Sequence, residues 1–369
     1  MERSFLHRKR HFLLLFWLLG ALLLLLAYQV PGFGSWWAMG PYRAVVSTIA
    51  PILSWVPFSL CEIGLYLLLL LLLFFLLYGA VRLIRYPGRR LSRFLRGIYS
   101  PFLLLGILFF LYAAFCGVNY TRTSFAEESG LSVRARSTEE LYDLCVSLTR
   151  DANRLREKLP EQEDGTMATH FANGEERRQE AARAFNKLEE TYPTLWSADI
   201  APKLVWGSEG MCYLNITGIY MPLTLEANVN TAVRPDEEAA VMCHELTHLR
   251  GYMQEEEANF IAYLACRDSV DPEFQYSGTL LALLHARNAL YSADPEAYKA
   301  VNSLLDDGVR RDLQARSAFW KQYDTPAADV AQNVNDGYLK LNQQPDGVKS
   351  YGRMVDLLLS LAEKENAAP

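Results

Sequence analysis

Hydrophobic positions follow two regimes along this chain. Up to residue 118 they come in unbroken runs, at about 12–30, 61–81 and 98–118. Each run approaches the ~20 apolar residues that a helix needs to cross a hydrocarbon core, so three transmembrane helices are predicted. The first run is too long for the core of a signal peptide and no Ala-x-Ala pattern follows it, which predicts a retained helix. Pro101 is expected in the first turn of the third helix, where a missing N–H costs nothing.

Beyond residue 118 apolar positions recur at helical or strand spacing between polar ones. Residues 119–135 read as a polar linker and 136–369 as a soluble domain. Ser137 and Glu140 form a capping box ahead of Leu141, Leu144, Cys145 and Leu148, which share one helical face to about residue 158. A second helix is predicted over 175–191, stopped by Pro193. Residues 204–206, 212–219 and 226–233 read as short strands between Gly and Pro. Pro235 with Asp236, Glu237 and Glu238 then opens a helix that Gly251 closes. Further helices are expected at 254–267, from Pro272 onward, and more weakly at 294–322 and 347–364. The predicted fold class is α+β, mainly α, with one small sheet.

Charge divides the chain in the same place. Of 36 Lys and Arg and 42 Asp and Glu, the first 118 residues hold eleven bases but only Glu2 and Glu62 as acids. The bases gather in Arg3, Arg8, Lys9 and Arg10, and in Arg82, Arg85, Arg89, Arg90, Arg93 and Arg96. The 31–60 loop carries only Arg43. The positive-inside rule therefore places the N-terminus in the cytoplasm and the domain after three crossings outside it, in a multi-pass protein of the cell membrane. Trp36, Trp37 and Trp55 suit the outer headgroup layer, and Glu62 is expected at that interface. The acidic domain repels phosphate backbones, which argues against nucleic acid as a partner. The partners expected are the lipid bilayer and a protein or peptide substrate near its outer leaflet. Cys61 and Cys116 fall in apolar runs. Cys145, Cys212, Cys243 and Cys266 form no CxxC pair, so a thiolate metal site is not supported.

The chemistry concentrates in His244-Glu245-Leu246-Thr247-His248. Residues four apart on a helix share a face, so both imidazoles can grip one Zn2+. Glu245, beside the first ligand, is placed to take a proton from a water on that ion. A zinc site needs a third protein ligand, and Glu255, Glu256 and Glu257 follow the turn. They differ by about 100° in helical direction, so only one faces the metal. Glu255 shares a face with Asn259 and is the expected ligand, with Asn259 steadying a histidine; Glu257 is the alternative. Segment 218–230 is a candidate edge strand for an extended substrate. Tyr276 and His285 are candidate oxyanion partners, His170 reads as a surface residue, and Cys243 as core.

The HELTHLRG and EEEANF motifs, the preceding Glu226-Ala227-Asn228-Val229-Asn230 and the three apolar spans resemble a bacterial membrane-protein family known as domain of unknown function 3810. The Glu255-to-Asn259 spacing is similar to that of gluzincin peptidases. The resemblance implies a zincin-like domain, an envelope location and a zinc-dependent endopeptidase. A non-catalytic zinc-binding sensor or scaffold on such a fold is the other class. Glu245 favours the enzyme, because pure binding needs no general base. Cleavage inside the bilayer is excluded by the acids that open the HELTH helix.

Overall fold

The first apolar run winds helix α1 (Leu14–Gln29) in the computed structural model, which describes residues 11–85, 90–196, 198–342 and 353–367. Its 16 residues span only about 24 Å at ~1.5 Å each, short of a ~30 Å hydrocarbon core. Among the described residues two helices, not three, are long and apolar enough to cross a membrane, over Leu60–Val81 and Pro101–Thr121. They belong to α3 (Leu60–Arg85) and α4 (Arg90–Phe115), with α2 (Arg43–Ser54) before them. The expected first crossing is thus a shorter helix laid along α4. Trp17 of α1 stacks on Phe102 and Phe109, and Leu24 meets Gly117, so the two helices run parallel. Pro101 falls inside α4 and not in its first turn. The bases at 1–10 and at Arg89 lie outside the described residues.

α3 differs from α4 in its surroundings. From Leu65 to Tyr78 its large side chains are exposed all round, the pattern of a helix whose solvent is lipid. Its first turn, by contrast, is fixed to the sheet by two buried carboxylates. Glu226 accepts the Leu60 and Cys61 N–H groups at 3.1 and 2.9 Å. Glu62 accepts those of Trp206 and Gly207 at 2.9 and 2.7 Å, and the Tyr66 hydroxyl at 2.6 Å. The residue expected at the lipid interface is therefore a buried tie between helix and domain. Lys203 is buried too, its ammonium donating to the Leu53 and Val56 carbonyls.

The domain begins without a free stretch of chain. Residues 117–121 form a 3-10 turn, Phe125–Ser129 a short helix, and Phe125 is fully buried. α5 (Thr138–Arg156) carries the expected capping box, and α6 (Gly174–Thr191) follows. Strands β1 (Lys203–Val205), β2 (Gly218–Met221) and β3 (Glu226–Asn230) lie in the order β1-β3-β2. β3 is central and wholly buried, parallel to β1 with Leu204 opposite Val229, and antiparallel to β2 with Gly218 opposite Val229. The strand expected from residue 212 starts later. Ser208–Cys212 coils instead, and Asn215 reverses the chain with φ 54°, a conformation Asn tolerates.

Helices α7 (Pro235–His248), α8 (Glu255–Asp268) and α9 (Pro272–Ala293) pack on one another, on α5 and on β3 to form the core. Beyond them come α10 (Pro295–Ser303), α11 (Asp307–Lys321), α12 (Pro326–Leu341) and α13 (Arg353–Asn366). α12 had no counterpart in the periodicity. The six cysteines form no disulfide.

Candidate metal centre

α7 starts where Pro235 occupies the first turn, but the acids behind it do more than favour the helix dipole. Asp236, Glu237 and Glu238 are buried, and each meets an arginine: Arg234 at 2.9 Å, Arg316 at 2.7 Å, and Arg177. These pairs fix the helix in the core and so orient its other end. There Gly251 adopts φ 85°, a left-handed turn in which a Cβ would crowd Tyr42 at 3.3 Å. The chain folds back, and α8 brings Glu255 opposite the two histidines.

The three expected ligands converge. His244 Nε2 is 3.0 Å from His248 Nε2, and Glu255 carboxylate oxygens are 3.3 and 3.7 Å from them. One ligand atom from each side chain lies within 4.8 Å of the others. An ion with ligand bonds of about 2.0–2.1 Å in a tetrahedron sets its ligands about 3.3 Å apart, so the spacing fits zinc. The tautomers fit as well. His248 Nδ1 donates to the Tyr252 carbonyl at 2.8 Å, and His244 Nδ1 to Asn259 Oδ1 at 2.9 Å. With each Nδ1 so engaged, both Nε2 atoms face each other and Glu255, where they could hold a cation. Electrostatics agree. Burial lowers the basicity of His244, but the hydrogen bond and charge of Glu255 reverse this and raise it. Burial would raise the Glu255 carboxyl, yet the two histidines hold it lowered. His248 is pushed down to about 4 by burial, which keeps it neutral and able to ligate.

Glu245 stands on the flank of this cluster. It is buried, its Oε2 has no hydrogen-bond partner, and burial raises its carboxyl to about 8, with His244 opposing. Strand β2 presses against it. A Cβ on Gly218 would lie 2.5 Å from Glu245 Oε1, so the glycine is what lets the strand approach. The Tyr220 backbone amide bonds to the same carboxylate.

His244, Glu245, His248 and Glu255, with Gly218 and Asn259, line one cavity of about 990 Å³. β2 forms one wall, and Tyr112, Cys116, Tyr120 and Tyr338 another. Glu237, two turns back along α7, and Arg316 of α11 mark a charged end. The alternative ligand Glu257 turns away and accepts the Phe125 N–H at 2.5 Å. Tyr276 is buried and donates to Asp312 at 2.8 Å, outside the cavity, and His285 does not line it either. His170 lies against Asp271 and Glu273, at 2.9 and 3.2 Å, and Cys243 is core. The cavity tyrosines escaped sequence reasoning because they arrive from α4 and α12, remote in sequence. Their one signal was a tyrosine at the end of each helix.

A family model described as a protein of unknown function, DUF3810, matches residues 37–359. The chain belongs to the DUF3810 family. The match takes in α3, α4, the sheet and His244, His248 and Glu255 of this DUF3810 protein, and starts after α1. Comparison with curated proteins and with solved structures returned no match.

Proposed function

We propose that this DUF3810 protein is a membrane-anchored zinc metalloendopeptidase acting on envelope or membrane-proximal proteins. The reading rests on one observation: His244, His248 and Glu255 converge at zinc-like spacing in one cavity, beside a buried Glu245 whose Oε2 has no partner. Bound zinc would polarise the scissile carbonyl and make the attacking water more acidic. Glu245, whose buried Oε2 is free of other partners beside the cluster, would take a proton from that water as the water oxygen bonds to the carbonyl carbon. The C–N bond then breaks, and the proton passes from Glu245 to the departing amine. Asn259 and the Tyr252 carbonyl keep the histidine tautomers fixed throughout. The unpaired edge of β2 is placed to hold the substrate backbone extended. The Glu255–Asn259 pair is the arrangement gluzincin peptidases use, which supports a zincin-like domain.

The membrane reading draws on α3, whose exposed leucines need lipid, and on its anchored first turn. Both spanning helices meet the domain at one end, by Leu60 and by Phe115. The Arg-rich stretch 82–96 joins the two spanning helices at their other end, so the positive-inside rule puts that end in the cytoplasm and the domain outside. Purified full-length protein with Glu245→Gln tests the enzyme claim. Retained zinc with loss of peptide cleavage is the expected result. Unchanged cleavage would refute the role of Glu245, and a wild type with zinc but no cleavage of any peptide would point to a sensor or scaffold.

A further inference from the structure

The cavity of the metal cluster is walled by the end of a helix that is itself long and apolar enough to cross a bilayer. Tyr112 and Cys116 belong to the apolar stretch Pro101–Thr121 and line the same cavity as His244, His248 and Glu255. The loop between the second histidine and Glu255 rests on this region. Cys116 Sγ is 3.7 Å from Met253 Sδ, and Arg122 donates to the Arg250 carbonyl at 3.2 Å. Tyr42 donates to the Leu249 carbonyl at 3.0 Å, and Tyr220 of the edge strand to that of Phe115 at 3.0 Å.

A second observation sets the height of the cluster above the bilayer. Trp36, Ile52, Trp55 and Trp206 project outward with 60–87 % of their surface exposed. Trp206 is fixed at the first turn of α3, where Glu62 holds its N–H at 2.9 Å and Phe58 lies 5.3 Å from its ring. Trp side chains collect at the headgroup layer, and the exposed leucines of α3 begin just below, at Leu65. The headgroup level therefore passes close to the start of α3 and the end of α4. From Tyr112 to Thr121 the chain rises at most about 15 Å. An extended polypeptide covers that distance in about five residues.

Resting on the hydrolase reading, we propose that the substrates are polypeptides anchored in the same bilayer and cut in the extended stretch that emerges from it, within about ten residues of the surface. A chain held in the membrane presents that stretch at the height of the cluster. Its backbone can then lie along β2, which lines the same cavity as Glu237 and Arg316.

The test uses full-length protein in vesicles of phosphatidylethanolamine and phosphatidylglycerol. The probes are disordered tails of mixed sequence, offered free or joined to a Leu/Ala transmembrane helix, with products located by mass spectrometry. Tethered tails are expected to be cut at least tenfold faster, with cuts clustered in the first ten residues whatever the sequence. A Gly/Ser spacer of about a dozen residues between helix and tail should lower cleavage of the tail at least tenfold. Cuts that follow the tail sequence past the spacer, or free tails cut as fast as tethered ones, would overturn the inference and leave the peptidase reading intact. Zinc-loaded protein that cuts no tail would remove both.

Discussion

Gly218 carries no chemistry, yet its replacement by alanine tests the site closely. The added Cβ would lie 2.5 Å from Glu245 Oε1, 2.6 Å from its Cγ and 2.8 Å from its Cδ. Ordinary contacts begin at 3.4 Å, so the carboxylate has to retreat by roughly 0.8 Å. It is buried with β2 on this side, so the retreat carries it out of line within the cavity it borders. A displacement near 1 Å in a reacting group costs about 10²-fold in rate, or about 2.7 kcal/mol of barrier. Overpacking costs a further ~1–3 kcal/mol of stability. Glu245 is not a ligand, so zinc content should not change. The assay is peptide cleavage by full-length protein, with zinc per chain and the unfolding midpoint measured on the same sample. Gly210→Ala, with nothing within 4 Å of its new Cβ, is the neutral control. Turnover within threefold of wild type for Gly218→Ala would refute the reasoning, as would zinc lost together with activity.

Asn259→Ala removes the acceptor that orients His244, and zinc affinity should fall by about 10–100-fold in competition with a chelator; unchanged affinity would exclude that role. Glu62→Ala leaves three donors without their carboxylate, each bond worth about 1.5–3 kcal/mol, and should lower the midpoint in detergent by on the order of 10 °C. A drop below about 2 °C would mean that α3 is not held there. Burial pushes the Glu238 carboxyl up to about 7 despite Arg177, so folding takes up a proton there. That contribution is full below about 4.5 and is lost as pH rises to about 7, amounting to about 3 kcal/mol. Glu238→Gln should flatten the stability profile over that window, and an unaltered slope would contradict the shift.

The helical half of the fold and the convergence of His244, His248 and Glu255 were legible because their signals are local. His244 and His248 share a face by spacing alone, Asn259 singles out Glu255 among three acids by the same rule, and Gly251 announces a left-handed turn. The Ser137 capping box and the Pro272 start were equally readable. What depends on distant partners was not. The buried bonds of Glu62 were not legible because their donors, Trp206 and Gly207, lie over 140 residues away. Tyr276 looked available until Asp312, brought in by α11, took its hydroxyl. The second strand was placed too early because the hydrophobic pattern of 212–219 does not show that Asn215 turns back. The first apolar run counted as a full span on composition, but its α-helix covers only Leu14–Gln29, after a 3-10 turn at His11–Leu13.

The central claim is that two imidazoles and the Glu255 carboxylate bind zinc. Elemental analysis of the purified full-length chain, wild type beside His244→Ala, tests it most directly. The account predicts one zinc per wild-type chain and almost none in the variant, with both folded by thermal unfolding. A folded wild type without zinc, or a variant that keeps its metal, would contradict it.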